Sequence, residues 1–125
     1  ALKVLTHLGV SVKTDYPGCC GMPYLEQGNL EKVAQNAASV SAALRPYIDE
    51  GYDILTLTAS CGLMFKFEWP LIVPDNEDVK ALSAATRDIS EYIVQIAEKN
   101  TFPTIYYTCI FTQILLNGEK LFRKF

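Results

Sequence analysis

The sequence predicts an α/β domain with three layers, a mostly parallel sheet carrying helices on both faces. Short apolar runs alternate with longer segments of helical periodicity, the order that parallel strands joined by right-handed crossovers require. The segment at residues 53–56 opens the largely apolar run Ile54-Leu55-Thr56-Leu57, as a buried parallel strand tends to do. Each cysteine follows such a run. Cys19 and Cys20 follow Val10-Ser11-Val12, Cys61 follows Ile54-Leu55-Thr56-Leu57, and Cys109 follows Thr104-Ile105-Tyr106-Tyr107. In a parallel sheet all four thiols would lie beyond the carboxyl ends of the strands, where open α/β folds bind ligands.

The elements follow in order. Residues 1–8 read as the second half of an amphipathic helix closed by Gly9. So abrupt a start predicts a strand and helix turn upstream. Residues 10–13 read as a short strand with Val10 and Val12 on one side. Residues 15–23 form a loop, in which Pro17, Gly18, Gly21 and Pro23 bracket the cysteine pair. A long helix is expected over 30–44, capped by Asn29. Its core face holds Leu30, Val33, Ala34, Ala37, Val40 and Leu44. Pro46 opens a final short turn that Gly51 stops. The strand at 53–56 leads through a turn at 58–62 into a short helix over 63–69, ended by Pro70. Asp75 caps the next helix, with Asp78 in a capping-box position. Val79, Leu82, Ile89, Ile93 and Ile96 make its stripe, and Asn100 and Pro103 end it. A third strand is expected at 104–107 and a last helix from 112 onward.

The chain has 125 residues, enough for one compact domain with its own core. Half of them are apolar and a fifth are charged, an ordinary globular balance. A net charge of −3 argues against a phosphate-tracking surface and so against nucleic acid as a partner. Charged residues and prolines break the apolar runs well short of the ~20 residues of a membrane span, so no transmembrane segment is expected. An even cysteine count admits a disulfide framework. A chain with this much core does not need one, and neighbouring cysteines pair only with strain. Reduced thiols in the cytoplasm are expected.

Cys19-Cys20-Gly21 carries the most chemical information. Two adjacent thiols in a glycine-rich loop can serve one metal cluster, and glycine lets backbone N–H groups approach inorganic sulfide. The competing interpretation is that a free cysteine is a small buried hydrophobe. Cys61 stands at a strand-to-helix junction, where a helix N-terminus favours the thiolate. Cys109 sits among apolar and aromatic residues, which favours a core role as much as a ligand role. His7 is assigned no role. The spacing supports no nucleotide-binding glycine loop, zincin motif or nucleophile–base pair.

Taken together, Gly18-Cys19-Cys20-Gly21-Met22-Pro23, Gly28-Asn29-Leu30 and Ser60-Cys61-Gly62-Leu63-Met64 resemble the CCG cysteine-rich domain. That domain occurs in the heterodisulfide reductase B subunit and in the C subunit of anaerobic glycerol-3-phosphate dehydrogenase. The stretch from Leu63-Met64-Phe65 to Glu68-Trp69-Pro70 looks most like the latter branch. The resemblance covers roughly residues 1–96. Cys19 and Cys20 match the family's vicinal pair and Cys61 its last cysteine. Thr58 stands where many members carry another cysteine, and the family's early cysteine would fall upstream of Ala1. Residues 97–125 look like the divergent start of a second motif: Cys109 and Gln113 keep register, while Tyr107 and Ile110 stand where histidines are usual. The chain as a whole thus resembles a single CCG-type domain over 1–125, a piece of a larger two-motif protein.

What the resemblance implies is electron transfer. Cys19, Cys20 and Cys61, with Cys109 as a weaker fourth, would hold an iron–sulfur cluster of 4Fe-4S type. The chain would act as a relay within an oxidoreductase complex rather than as an enzyme alone. Its partners would be flavoprotein dehydrogenase or reductase subunits, with a quinone or disulfide acceptor. It would be cytoplasmic, or peripheral on the inner face of the cell membrane through those partners. Three alternatives stay open: a structural zinc site on the same thiolates, a thiol-redox module, and a cofactor-free remnant domain.

Overall fold

The computed structural model describes residues 1–99. The strand expected at 104–107, the helix from 112 and Cys109 lie outside the described residues. The elements are α1 (Leu2–His7), α2 (Met22–Glu26), α3 (Leu30–Asp49), β1 (Ile54–Thr56), α4 (Ala59–Leu63), a π-helical turn (Met64–Glu68), α5 (Trp69–Ile72), α6 (Glu77–Ala85), β2 (Thr86–Asp88) and α7 (Ile89–Lys99). They fall into two compact units. One comprises Thr14–Asp88, the other Ala1–Lys13 with the chain from Ile89 on.

This architecture corrects the predicted three-layer α/β fold. The described residues are mostly helical, and their one sheet is a pair of short parallel strands, β1 and β2. Ile54 pairs with Thr86, Leu55 with Arg87 and Thr56 with Asp88. Of the two strands expected within the described residues, only the one at 53–56 forms. Residues 10–13 keep their alternation, with Val10 and Val12 half-buried, but take no strand conformation. A four-residue strand is stable only where a neighbour pairs its backbone groups, and alternation alone supplies none.

β2 interrupts the helix predicted from Asp75 onward. At its start the Thr86 hydroxyl and backbone N–H both turn back to the Leu82 carbonyl, the hydroxyl at 2.7 Å. Thr86 itself is extended, with φ −75° and ψ 131°. It is a β-branched residue, and the next two positions pair with β1. The apolar stripe is thereby divided. Val79 and Leu82 are buried in the Thr14–Asp88 unit, and Ile93 is buried in the other. The cap also differs from expectation: Asn76, not Asp75, accepts from the N–H groups of Asp78 and Val79 at 3.0 and 3.1 Å.

The helix from Leu30 behaves largely as predicted. Asn29 accepts from the Lys32 N–H at 3.1 Å, and Val33, Ala37, Val40 and Leu44 are buried. Ala34 is half-buried, and Leu30 is exposed. α3 is longer than expected, because it runs through Pro46 to Asp49 instead of restarting there. The proline only deprives Ala42 of its usual donor, a loss the exposed end of a long helix tolerates. Gly51 then stops α3 with a left-handed φ of 88°, its N–H reaching the Ile48 carbonyl and that of Tyr52 the Tyr47 carbonyl. Gly9 closes α1 by the same paired bonds.

Pro70 does not end a helix either. α4, the π turn and α5 are continuous over 59–72. Pro70 lacks the N–H that would ordinarily reach the Lys66 carbonyl, and the Ser83 hydroxyl of α6 donates there instead at 2.8 Å. Along the turn the bonds lengthen by one residue, so the Trp69 N–H meets the Met64 carbonyl. Met64, Phe65 and Trp69 point into a core shared with α3 and α6. Cys20 is the loop's contribution to that core.

Candidate functional site

The vicinal cysteines lie on the loop that enters α2. Gly21 caps α2 with a φ of +84°, a conformation that favours glycine. At Gly18 a Cβ would stand 3.0 Å from Cγ2 of Val40, so this glycine lets the loop lie close on α3. Three side chains hold the loop. The Tyr47 hydroxyl donates to Asp15 at 3.0 Å, the Asn36 amide to the Cys19 carbonyl at 3.3 Å, and the Trp69 indole N–H to the Cys20 carbonyl at 3.0 Å. The glycines and these anchors give the Gly-Cys-Cys-Gly run a structural explanation beside its chemical one.

Cys61 lies in the first turn of α4, not in a turn before the helix. The next residue, Gly62, is where α4 touches β1: a Cβ there would stand 2.8 Å from the Thr56 hydroxyl oxygen. Packing α4 this closely on β1 brings Cys61 to the loop. Its thiol donates to the Cys20 sulfur at 3.3 Å, across 41 positions of sequence.

The adjacent thiols therefore part company. Cys20 is buried in the core and meets Cys61, which is half-buried. Cys19 is exposed, and its sulfur accepts the Gly21 N–H at 3.4 Å. Among the described residues no three His, Cys, Asp or Glu side chains gather in a group that could hold a metal ion. The site as it stands is a thiol pair with a third thiol alongside, and Cys109 lies outside the described residues. His7 is exposed at the end of α1.

The electrostatics of Cys61 run against the sequence argument. A strand-to-helix junction predicts that a helix N-terminus favours the thiolate. Burial instead pushes the thiol up to about 11, helped by its hydrogen bond to Cys20 and the nearby Cys20 and Cys19 sulfurs; Ser60 opposes weakly. The folded chain thus keeps this proton over a range, from about 9 to about 11, in which an ordinary thiol has lost it. The stabilisation is complete below that range and lost as pH rises through it. Iodoacetamide labelling of Cys61, followed by peptide mass spectrometry, should stay slow at neutral pH and accelerate steeply only toward pH 11. A rate that levels off near pH 9 would show an ordinary, accessible thiol.

Two residues of the site carry no sequence signal for their role. Trp69 is fully buried and also fixes the Cys20 backbone. A buried indole N–H needs an acceptor, but nothing in the sequence says which. Asn36, on α3, is equally silent. The helical segment that carries Cys61 exposes Leu63, Phe67 and Leu71, and no helix among the described residues is long and apolar enough to cross a membrane. Comparison with protein-family models, with curated proteins and with solved structures finds no match to the chain.

Proposed function

We propose that this chain is the electron-transfer part of an iron–sulfur oxidoreductase, with Cys20 and Cys61 as the inner ligands of a cluster and Cys19 as the third. The observation that carries this is the 3.3 Å approach of two sulfurs 41 positions apart. The donors fit such a group in kind, since thiolates are the usual ligands of iron–sulfur clusters. Two thiolates on one tetrahedral metal, each ~2.3 Å from it, stand about 3.8 Å apart, so the pair needs to open only slightly to share one metal, and must open further for a 4Fe-4S cluster, in which each iron takes one thiolate. Cys19 would leave the Gly21 N–H to join them.

When bound, the cluster would supply one-electron transfer. The protein's part is to hold and shield it. Met64, Phe65 and Trp69 keep water from the Cys20 side, and burial of this kind shifts a cluster's potential. Cys109 is the fourth ligand suggested by the family resemblance. The partners we propose are a flavoprotein donor and a quinone or disulfide acceptor. Exposed Leu63, Phe67 and Leu71, on the segment that bears Cys61, support a partner-facing surface there.

Anaerobic purification with iron, sulfide and zinc analysis tests the proposal. Wild-type protein should be brown and contain iron and sulfide in equal amounts, and Cys61→Ser should lose most of both. Iron content unchanged in Cys61→Ser would exclude this ligand set. A colourless protein with stoichiometric zinc would replace the cluster by a structural metal.

A further inference from the structure

We infer that in the metal-free protein Cys20 and Cys61 form a reversible disulfide when exposed to a low-molecular-weight disulfide such as oxidised glutathione. The inference goes beyond the cluster proposal and does not rest on it. It stands on two observations: the sulfurs are already 3.3 Å apart, and the two residues differ in access.

A disulfide has an S–S distance of about 2.05 Å. From 3.3 Å the sulfurs must approach by about 1.3 Å, within reach of small rotations about two Cα–Cβ bonds. Of this pair Cys20 is buried and Cys61 half-buried, so Cys61 is the one a small oxidant meets. The ionised fraction of Cys61, small at neutral pH, attacks the small disulfide and breaks its S–S bond. It forms a mixed disulfide and releases one small thiol, which carries away the Cys61 proton. The Cys20 sulfur then attacks the Cys61 sulfur and displaces the second small thiol, which takes the Cys20 proton. Two protein thiols are oxidised to one disulfide, and the oxidant is reduced to two thiols.

Cys19 is exposed and can itself meet the oxidant, but it does not compete for closure, because a bond to its neighbour Cys20 would be strained. Closing Cys20 to Cys61 would tie the loop to α4 and occupy both inner sulfurs. A metal could then enter only after reduction, which would make the pair a redox gate on loading.

The test uses the full chain, stripped of metal with a chelator and incubated with oxidised glutathione. After acid quenching and alkylation, peptides are mapped without reduction. The expected result is a link between the Cys20 and Cys61 peptides, an intact mass lower by two hydrogens, and reversal by dithiothreitol. The oxidised form should melt about 10 °C higher than the reduced one. Because Cys19 and Cys20 share a peptide, the double variant Cys19→Ser/Cys109→Ser is mapped in parallel and should give the same link. A mixed disulfide that never closes would overturn the inference, as would a Cys19–Cys20 link or any link through Cys109. Iron and sulfide are measured on a separate, anaerobically loaded sample. A link without iron binding retires the cluster alone, and iron binding without a link retires the disulfide alone.

Discussion

Trp69→Ala should cost about 3–5 kcal/mol of folding stability, the range for removing a large aromatic from a core. Trp69 has no exposed surface, and its ring lies 4.5 Å, centroid to centroid, from that of Phe65. Truncation leaves a cavity between Phe65 and the core, and it also removes the donor from the buried carbonyl of Cys20. Such a loss is a large fraction of the 5–15 kcal/mol typical of a whole domain. Trp69→Phe keeps most of the ring volume and loses only the N–H, so it should cost much less, about 1–2 kcal/mol. Urea unfolding followed by far-ultraviolet circular dichroism separates the two. This is the chain's single tryptophan, so tryptophan fluorescence cannot follow either variant. Equal losses in both would mean that the hydrogen bond, and not the ring, dominates. Even in folded Trp69→Phe the Cys20 carbonyl is no longer held, and the contact between the Cys20 and Cys61 sulfurs should loosen with it.

Local signals were legible where one residue's chemistry settles them. Asn29 caps, Gly9 and Gly51 stop helices, and the face of Val33, Ala37, Val40 and Leu44 is buried because helical spacing leaves it no other place. The run at 53–56 is a strand for the same local reason. Signals that depend on a partner were not. Thr86-Arg87-Asp88 has no apolar pattern, and it is a strand because β1 needs a neighbour. Residues 10–13 have the pattern and lack a neighbour among the described residues. Among these residues no large sheet forms, and the expected rim of strand ends is not seen. Cys20 and Cys61 still meet, but where a loop resting on α3 faces the first turn of α4. The division between buried Cys20 and exposed Cys19 was likewise invisible. It follows from the Gly21 turn and from the Trp69 and Asn36 anchors, which periodicity does not reveal.

Gly62→Ala should destabilise the protein, although Gly→Ala inside a helix ordinarily stabilises by up to about 1 kcal/mol. The new methyl would stand 2.8 Å from the Thr56 hydroxyl oxygen, too close for any Cβ contact. Thr56 cannot easily yield. It is buried and β-branched, and its hydroxyl bonds the Arg87 carbonyl at 3.4 Å. Either the hydroxyl gives up that bond or α4 withdraws from β1, at a cost of about 1–3 kcal/mol. The Thr56 Cβ lies 3.8 Å from the same point, an ordinary contact distance. In a Thr56→Ala background the clash is therefore gone and only the helix preference remains, so Gly62→Ala should become stabilising by about 0.5–1 kcal/mol. A double-mutant cycle in urea reads this reversal of sign directly, and equal effects in both backgrounds would show that α4 does not press on β1 here. The same cycle tests why the two sulfurs meet. If close packing at Gly62 sets the position of Cys61, Gly62→Ala should slow Cys20–Cys61 disulfide closure in wild-type protein and leave it nearly unchanged beside Thr56→Ala.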